Sequence, residues 1–152
     1  MVAVTAGEIM TQPVQTVRAE TPLKDCMAML VRGHFSGLPV IVGGRVVGIV
    51  TEGDLIRRLR RQLPWFAFFV DGTTMPAPPP NESLHEFLME LRERPVRDIM
   101  TRNVVSVSPD QGIEEVARVL IDRRIKRVPV LEGGRLVGII SRGDLVRGML
   151  RG

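Results

Sequence analysis

Two motifs carry the side chains of this sequence that are best suited to ligand chemistry. Each has the spacing Gly-x-x-Thr/Ser-x-x-Asp, follows an apolar run and precedes a helical pattern; the members are Gly48, Thr51, Asp54 and Gly138, Ser141, Asp144. A hydroxyl and a carboxylate at a helix start can cap the helix and meet the positive end of its dipole. The same carboxylate can accept hydrogen bonds from the two vicinal hydroxyls of a ribose, with the cap hydroxyl facing a phosphate. Both interpretations stay open at this point.

A run of basic residues offers a second kind of chemistry. Residues 123–127 read Arg-Arg-Ile-Lys-Arg and lie directly before an apolar strand pattern at Val128–Leu131. A charged run of this kind is typical of a solvated face. Lys126 and Arg127, however, adjoin the strand edge, where a phosphate can be bound by charge-assisted hydrogen bonds.

The two motifs belong to one internal repeat. Residues 9–62 and 99–152 align at an offset of 90 without a gap, and 19 of the 54 positions are identical. A repeat of this length is a supersecondary unit that cannot close a core alone, so the two copies should pack face to face about a pseudo-twofold axis. Lys126 and Arg127 align with Ser36 and Gly37, which carry no charge, so the two sites should not be equivalent.

Hydrophobic periodicity predicts the order β-α-β-β-α in each copy. Short β-branched strands are expected at Val14–Val17 and Val104–Val107, and paired glycines should turn the two hairpins. Thr21 is the expected N-cap of the first long helix, with Pro22 as its first residue. The apolar positions expected on the buried face of that helix and of its copy are Leu23, Cys26, Met27, Leu30, Val31 and Ile113, Val116, Ala117, Leu120, Ile121. The predicted fold class is α/β (α+β), with the two repeats packed sheet to sheet.

Between the copies lies a segment unrelated to either. It contains an aromatic run at Trp65–Val70, a proline-rich stretch at Met75–Pro80 and a short helical pattern over Ser83–Glu93 with Ser83 as its cap. The aromatic run is interpreted as internal or dimer packing. The predicted organisation is a first domain at 1–62, an insert at 63–95 and a second domain at 96–152.

Composition excludes several classes of function. The formal net charge is +4, no apolar run approaches the length of a membrane span, and no signal-peptide pattern opens the chain. The single cysteine, Cys26, cannot form an intramolecular disulfide. One cysteine and two histidines are too few ligands for a recognisable metal-binding cluster. There is no nucleophile–base pair and no phosphate loop. We therefore expect a cytoplasmic protein that is not an enzyme.

The repeated motifs resemble a known family. The segments Ile9-Met10-Thr11 and Asp98-Ile99-Met100-Thr101, the Pro-Val pairs at 39–40 and 129–130, and Gly-x-x-Thr/Ser-x-x-Asp occur twice in the same order. Together they resemble a tandem pair of cystathionine-β-synthase (CBS) domains, a Bateman module, of the stand-alone prokaryotic type. The resemblance covers both repeats and leaves the insert unmatched.

That resemblance implies two clefts that bind adenosine-containing ligands such as AMP, ADP or ATP, with NAD and S-adenosylmethionine as further candidates. Mg²⁺ would accompany only a triphosphate. The implied roles are ribose contacts for Asp144 and Asp54, ribose or phosphate contacts for Ser141 and Thr51, phosphate contacts for Lys126 and Arg127, and base contacts for Thr101, Val104, Val105, Thr11, Val14 and Gln15.

Three functions remain in competition. The first is a non-enzymatic regulatory module that binds an adenine nucleotide, forms a homodimer and signals to a separate effector protein. The second is a ligand-free dimeric scaffold. The third, which we disfavour, is nucleic-acid binding by the arginine-rich surface, because basic stripes with interleaved aromatics are absent from the repeats. No membrane contact is expected.

Overall fold

The computed structural model describes residues 3–35, 37–62 and 81–151. Within them the chain forms five strands and six α-helices, which confirms the mixed α/β class. The strands are β1 (Val17–Arg18), β2 (Gly37–Val42), β3 (Arg45–Thr51), β4 (Arg127–Glu132) and β5 (Arg135–Ser141). The helices are α1 (Ala6–Ile9), α2 (Leu23–Gly33), α3 (Glu52–Gln62), α4 (Asn81–Glu93), α5 (Ile113–Asp122) and α6 (Arg142–Met149), with a 3₁₀ turn at Val96–Asp98.

The strands are hydrogen-bonded in the order β1-β2-β3-β5-β4. The β4–β5 hairpin is antiparallel and places Arg127 opposite Ser141. Its turn residues Gly133 and Gly134 have φ angles of 60° and 82°, and the β2–β3 turn has 58° and 80° at Gly43 and Gly44. Glycine adopts these left-handed angles without steric cost, which confirms the predicted glycine-paired turns.

The first strand of each repeat is shorter than predicted. Strand β1 has only two residues, and in the second repeat Val107 forms an isolated parallel bridge with Val130. The expected strand at Val14–Val17 is therefore wrong over most of its length. Instead of joining a ladder, residues 12–14 and 16 line a cavity that is described below.

The two long amphipathic helices are confirmed, but their caps and apolar stripes differ from expectation. The N-cap of α2 is Pro22, and the Thr21 hydroxyl accepts a hydrogen bond from the Arg18 amide at 3.0 Å instead of capping the helix. The first amide of α2, that of Leu23, finds its acceptor in the Arg94 carbonyl at 2.8 Å. Of the predicted buried stripe, Val31 and Ile121 are 74% and 72% exposed, so the stripe turns to solvent at its C-terminal end.

Helix α4 confirms the predicted helix of the insert and begins at Asn81, two residues earlier than expected. Ser83 therefore lies inside the helix and is not its cap. Leu91, near the C-terminal end of α4, is 5% exposed and belongs to the core. The aromatic run Trp65–Val70 and the proline-rich stretch Met75–Pro80 lie outside the described residues.

The chain divides into two compact units that do not follow the repeat boundaries. Unit 1 comprises residues 1–16, 41–47 and 103–152, and unit 2 comprises residues 17–40 and 48–102. Each unit thus contains the Ile-Met-Thr segment of one repeat and most of the body of the other. In unit 1 the segment before Thr11 contributes buried Val4, Ala6 and Ile9 to a core that is completed by Val107, Val116, Leu120, Val128, Val130 and Ile140.

Candidate functional site

The carboxylate of Asp144 is the centre of a polar cluster in unit 1. Asp144 lies in the first turn of α6 and is 6% exposed. Its Oδ2 accepts from the Ser141 amide at 2.9 Å, and its own amide donates to Ser141 Oγ at 3.2 Å, which together form a capping box. The Thr11 hydroxyl lies 3.1 Å from both carboxylate oxygens, and Arg147 donates from one turn further along α6.

Asp54 occupies the same position in unit 2 and is 5% exposed. Its Oδ2 accepts from the Thr51 amide at 2.8 Å, and its amide donates to Thr51 Oγ1 at 3.2 Å. The Thr101 hydroxyl donates to Oδ1 at 2.8 Å, and Arg57 forms an ion pair with the same oxygen. The helix-capping interpretation of the motif is therefore confirmed in both repeats.

The glycine that opens each motif is required by a methionine. A Cβ on Gly138 would collide with the Met10 side chain, and one on Gly48 would collide with that of Met100. Backbone hydrogen bonds hold each methionine segment in place, because Thr11 pairs with Ile139 and Thr101 pairs with Ile49 in isolated antiparallel bridges. The Ile-Met-Thr segment of one repeat thus delivers its threonine hydroxyl to the aspartate of the other repeat.

Two basic residues at the start of strand β4 lie beside the Asp144 cluster. Arg127 is half-buried and lies opposite Ser141 in the ladder, while Lys126 is exposed and its carbonyl accepts from the Arg142 amide at 3.1 Å. Both therefore lie beside the start of α6. At the equivalent positions of the first repeat Gly37 is buried, and Ser36 lies outside the described residues.

A cavity of about 650 Å³ lies in unit 1, and its lining begins at Gln12, the residue that directly follows Thr11 in sequence. Its lining is largely apolar and comprises Gln12, Pro13, Val14, Thr16, Ile41, Gly44, Arg135, Leu136 and Val137. This volume lies within the range of about 300–1,000 Å³ that is typical of small-molecule sites. Of the predicted base contacts, Val14 lines the cavity.

The other predicted site residues are placed as follows. Gln15 is exposed, and Val104 and Val105 are half-buried in unit 1. Thr101 joins Asp54 and Thr11 joins Asp144, so the structure separates the predicted residues into two clusters, one in each unit.

Sequence reasoning did not single out Arg57 and Arg147, which bind the two aspartates. A signal was present, because an arginine follows each aspartate by three residues in both copies. In a helix that spacing puts the two side chains on one face. The residue before each aspartate is a glycine, and a Cβ there would meet the tip of the arginine side chain, at 3.2 Å from Arg57 Nη1 for Gly53 and at 3.4 Å from Arg147 Nη1 for Gly143.

The predicted burial of Cys26 is confirmed, and the structure places His34 at the surface. Cys26 is fully buried in α2, and burial raises the pKa of its thiol from 9.0 to about 11, as expected for a structural cysteine. His34 is an exposed left-handed residue that ends α2, with a φ angle of 55°.

Among the described residues there is no group of three or more histidine, cysteine or acidic side chains that could hold a metal ion. No described helix is long and apolar enough to cross a membrane.

Known proteins share both the sequence pattern and the fold. An uncharacterized protein of Methanocaldococcus jannaschii is 30% identical over 152 residues, which cover 94% of this chain and 89% of the relative. The crystal structure of CBSX2 in complex with AMP matches with a TM-score of 0.72 at 27% identity, over 97% of this chain and 96% of that chain. CBSX2 is a chloroplastic CBS domain-containing protein of Arabidopsis thaliana, and the alignment spans 64% of its full length.

A further structure shares the fold alone. The CBS domain pair of the protein MJ0100, solved in complex with 5′-methylthioadenosine and S-adenosyl-L-methionine, is 21% identical, with a TM-score of 0.73 over 99% of this chain and 98% of that one. The family model of the CBS domain matches this chain twice, at residues 6–61 and 96–151. The chain therefore belongs to the CBS domain family and is a tandem CBS pair.

Proposed function

We propose that this chain is a non-catalytic regulatory module that binds adenosine-containing ligands and passes the signal to a separate partner protein. The Asp144 cluster is the primary site. Its carboxylate is buried, held by its own helix cap, and approached by the basic residues Lys126 and Arg127. CBSX2, a relative with the same tandem fold, has been crystallised with AMP.

One observation carries the proposal: the buried Asp144 carboxylate and the apolar 650 Å³ cavity lie in the same unit, joined by the short segment from Thr11 to Val14. A nucleoside needs a polar anchor for the ribose diol and an apolar slot for the base. Asp144 can accept from both ribose hydroxyls once the bond to Thr11 is exchanged. Val14 and Val137 supply apolar surface for a purine.

The ligand class follows from charge. Lys126 and Arg127 beside the start of α6 favour a ligand with at least one phosphate, so AMP, ADP and ATP are the leading candidates. NAD and S-adenosylmethionine contain the same adenosine unit and remain candidates. Mg²⁺ has a role only if a triphosphate is bound. The proposed anchor residues offer a metal ion only one carboxylate, beside two cationic side chains, so the phosphates would have to supply the other oxygen ligands.

The decisive experiment compares isosteric variants by isothermal titration and thermal shift. Asp144→Asn keeps a cap acceptor but replaces one acceptor oxygen by a donor, so it should weaken AMP binding at least tenfold. Asp54→Asn should weaken binding at the Asp144 site less than twofold. Asp122→Asn, at an exposed position at the C-terminal end of α5, is the matched control. At 100 times its dissociation constant, a ligand that binds the folded state should raise the free energy of unfolding by about 2.7 kcal/mol.

Equal affinity in all four proteins would overturn the site assignment. Absence of binding for every adenosine compound, with a stable oligomer, would favour the ligand-free scaffold instead. Steep salt dependence of binding to single-stranded or duplex nucleic acid would favour the third hypothesis.

We also propose that the chain acts as a homodimer through apolar helix surface. Val31 and Ile121 occupy equivalent positions of the two repeats and are mostly exposed, and Val146 and Met149 on α6 are 58% and 65% exposed. Paired exposure of large apolar side chains at repeated positions is typical of an interaction surface. Sedimentation velocity should show a dimer, and Ile121→Asp should shift it toward monomer.

The proposed location is the cytoplasm, in keeping with the free thiol of Cys26.

A further inference from the structure

A second cavity, of about 240 Å³, lies in unit 2 on the helix side of Asp54. Three arginines of α3 line it, together with Asp54 and the segment that begins at Asp98; they are Arg57, Arg58 and Arg61. The remaining lining residues are Ile99, Met100 and Thr101. Cations therefore dominate the wall of this cavity, in contrast to the largely apolar lining of the cavity in unit 1.

Each of the two acidic groups in the wall has an arginine partner, and the partner of Asp98, Arg94, also pairs with Glu90 at 3.2 Å. Asp54 forms an ion pair with Arg57, and Asp98 forms one with Arg94 at 3.6 Å. Among the described residues, neither Arg58 nor Arg61 has a carboxylate partner. Three arginines and two aspartates give the lining a formal net charge of +1, which makes the cavity an attractive site for an anion.

Donor capacity is also left over. A guanidinium carries five N–H donors, yet Arg58 makes one long bond, from Nη1 to the Asp98 carbonyl at 3.3 Å. Its Nε is shielded from solvent and has no hydrogen-bond partner in the part of the chain that the structure describes. A buried donor without a partner is costly, and an anion with several oxygens would relieve that cost.

The other repeat does not contain this feature. Gly148 takes the place of Arg58, and a Cβ there would lie 2.7 Å from Ile9 Cγ2 and 2.9 Å from Ile113 Cδ1. Arg151, at the position of Arg61, donates to the Glu8 carbonyl at 3.0 Å. The arginine-lined cavity is therefore specific to unit 2 and is not a general property of the repeat.

We propose that this cavity is a phosphoryl-group site that takes a diphosphate. Its volume lies below the range of about 300–1,000 Å³ typical of whole small-molecule ligands, but it suits a compact polyanion. Arginine clusters recognise phosphates through paired N–H donors. The diphosphate can belong to a nucleotide or be free pyrophosphate; in the nucleotide case the inference rests on the proposed function.

The test titrates inorganic pyrophosphate, ATP and adenosine into the full chain at two salt concentrations. Combined Arg58→Gln and Arg61→Gln should weaken pyrophosphate binding at least tenfold. Arg32→Gln, an exposed arginine on α2 of the same unit, removes one charge away from the cavity and should change affinity less than twofold. Arg61→Gln alone removes an exposed side chain and should weaken binding about threefold, which keeps the test informative if the double variant unfolds.

If pyrophosphate binds and the double variant loses it, the site accepts the free anion. If ATP binds and pyrophosphate does not, and the double variant binds ATP no more tightly than adenosine, the diphosphate comes from a nucleotide. Equal affinities in wild type and double variant, or no binding of either anion to wild type, would overturn the inference. The pyrophosphate titration needs no adenosine, so its result is independent of whether Asp144→Asn affects AMP binding.

Discussion

The Asp54 and Asp144 clusters share a capped carboxylate paired with a helical arginine, but their additional cations come from different elements. In unit 1 the extra cations, Lys126 and Arg127, come from the strand that precedes the motif. In unit 2 that strand has no such charge, and the extra cation is Arg58 on the following helix. Thus the repeats have kept the capped aspartate and its helical arginine while the surrounding charge differs. Sequence identity at the motif does not imply that the two sites bind the same ligand.

The largest expected effect concerns the glycine that opens each motif. Gly138→Ala forces a new methyl group against Met10, whose own Cβ lies within 2.9 Å of it, so overpacking should lower the free energy of unfolding by about 1–3 kcal/mol. Gly48→Ala should cost slightly less, because its closest contacts are longer, at 2.5 Å to Met100 Sδ, 2.9 Å to Met100 Cγ and 3.0 Å to the Thr101 carbonyl oxygen. Urea denaturation of the two variants checks this ranking.

A double-mutant cycle provides the control for that ranking. In a Met10→Ala background, Gly138→Ala should cost clearly less than in wild type, because the two closest colliding atoms, Sδ and Cγ, have been removed. An unchanged cost would show that the methionine is not the source of the constraint.

The next effect concerns the two threonines that meet the aspartates. Thr101→Val removes a 2.8 Å hydrogen bond to the buried carboxylate of Asp54, and Thr11→Val removes a 3.1 Å bond shared between two oxygens of Asp144. Each should destabilise the fold by about 1 kcal/mol, with Thr101→Val costing more because its bond is shorter and directed at one oxygen. Thr16→Val, away from both carboxylates, is the matched control. A reversed order would show that the shorter bond to a single carboxylate oxygen is not the stronger of the two.

The smallest effect concerns a core position where the two repeats differ chemically. Cys26 and Val116 are equivalent, and both are 0% exposed, so Cys26→Val should change the free energy of unfolding by less than about 1 kcal/mol at pH 7. Burial raises the pKa of the Cys26 thiol from 9.0 to about 11. The unfolded chain therefore loses this proton first, and the wild-type stability contributed by the neutral thiol falls as the pH rises from about 9 to 11.

Cys26→Val lacks that contribution, so its unfolding free energy should fall less steeply over the same pH range. Denaturation curves for both proteins at neutral and alkaline pH measure the difference. Parallel pH profiles would contradict the assigned burial of the thiol.

Local chemistry made much of the fold predictable. The apolar spacing in α2 and α5, the paired glycines of the hairpins and the hydroxyl–carboxylate spacing each depend on neighbours within a few residues. The prediction of Thr21 as the N-cap of α2 was wrong because the outcome depends on a distant residue. The amide of Leu23 donates to the carbonyl of Arg94, which is far away in sequence. The predicted burial of Val31 was wrong because no described element covers that end of the helix.

The pairing inside the sites could not be predicted from sequence. Thr11 and Thr101 end identical Ile-Met-Thr segments, so each is equally suited to either aspartate. Only the path of the chain decides that Thr11 meets Asp144, at a separation of 133 residues, and that Thr101 meets Asp54, at a separation of 47. The arginine-lined cavity depends on that same path, since it brings Asp98 to α3.

The exchange of the Ile-Met-Thr segments has a consequence for how the protein emerges from the ribosome. All residues of unit 2 lie between positions 17 and 102, so this unit can complete its contacts while the rest is still being synthesised. Among the described residues, the buried core neighbours of the opening segment that carries Val4, Ala6 and Ile9 all lie at positions 107–140. This segment must wait, with its apolar side chains uncovered, until almost the whole pair has been translated. Unit 2 should therefore fold first during biosynthesis, and the Asp144 cluster should be the last to assemble.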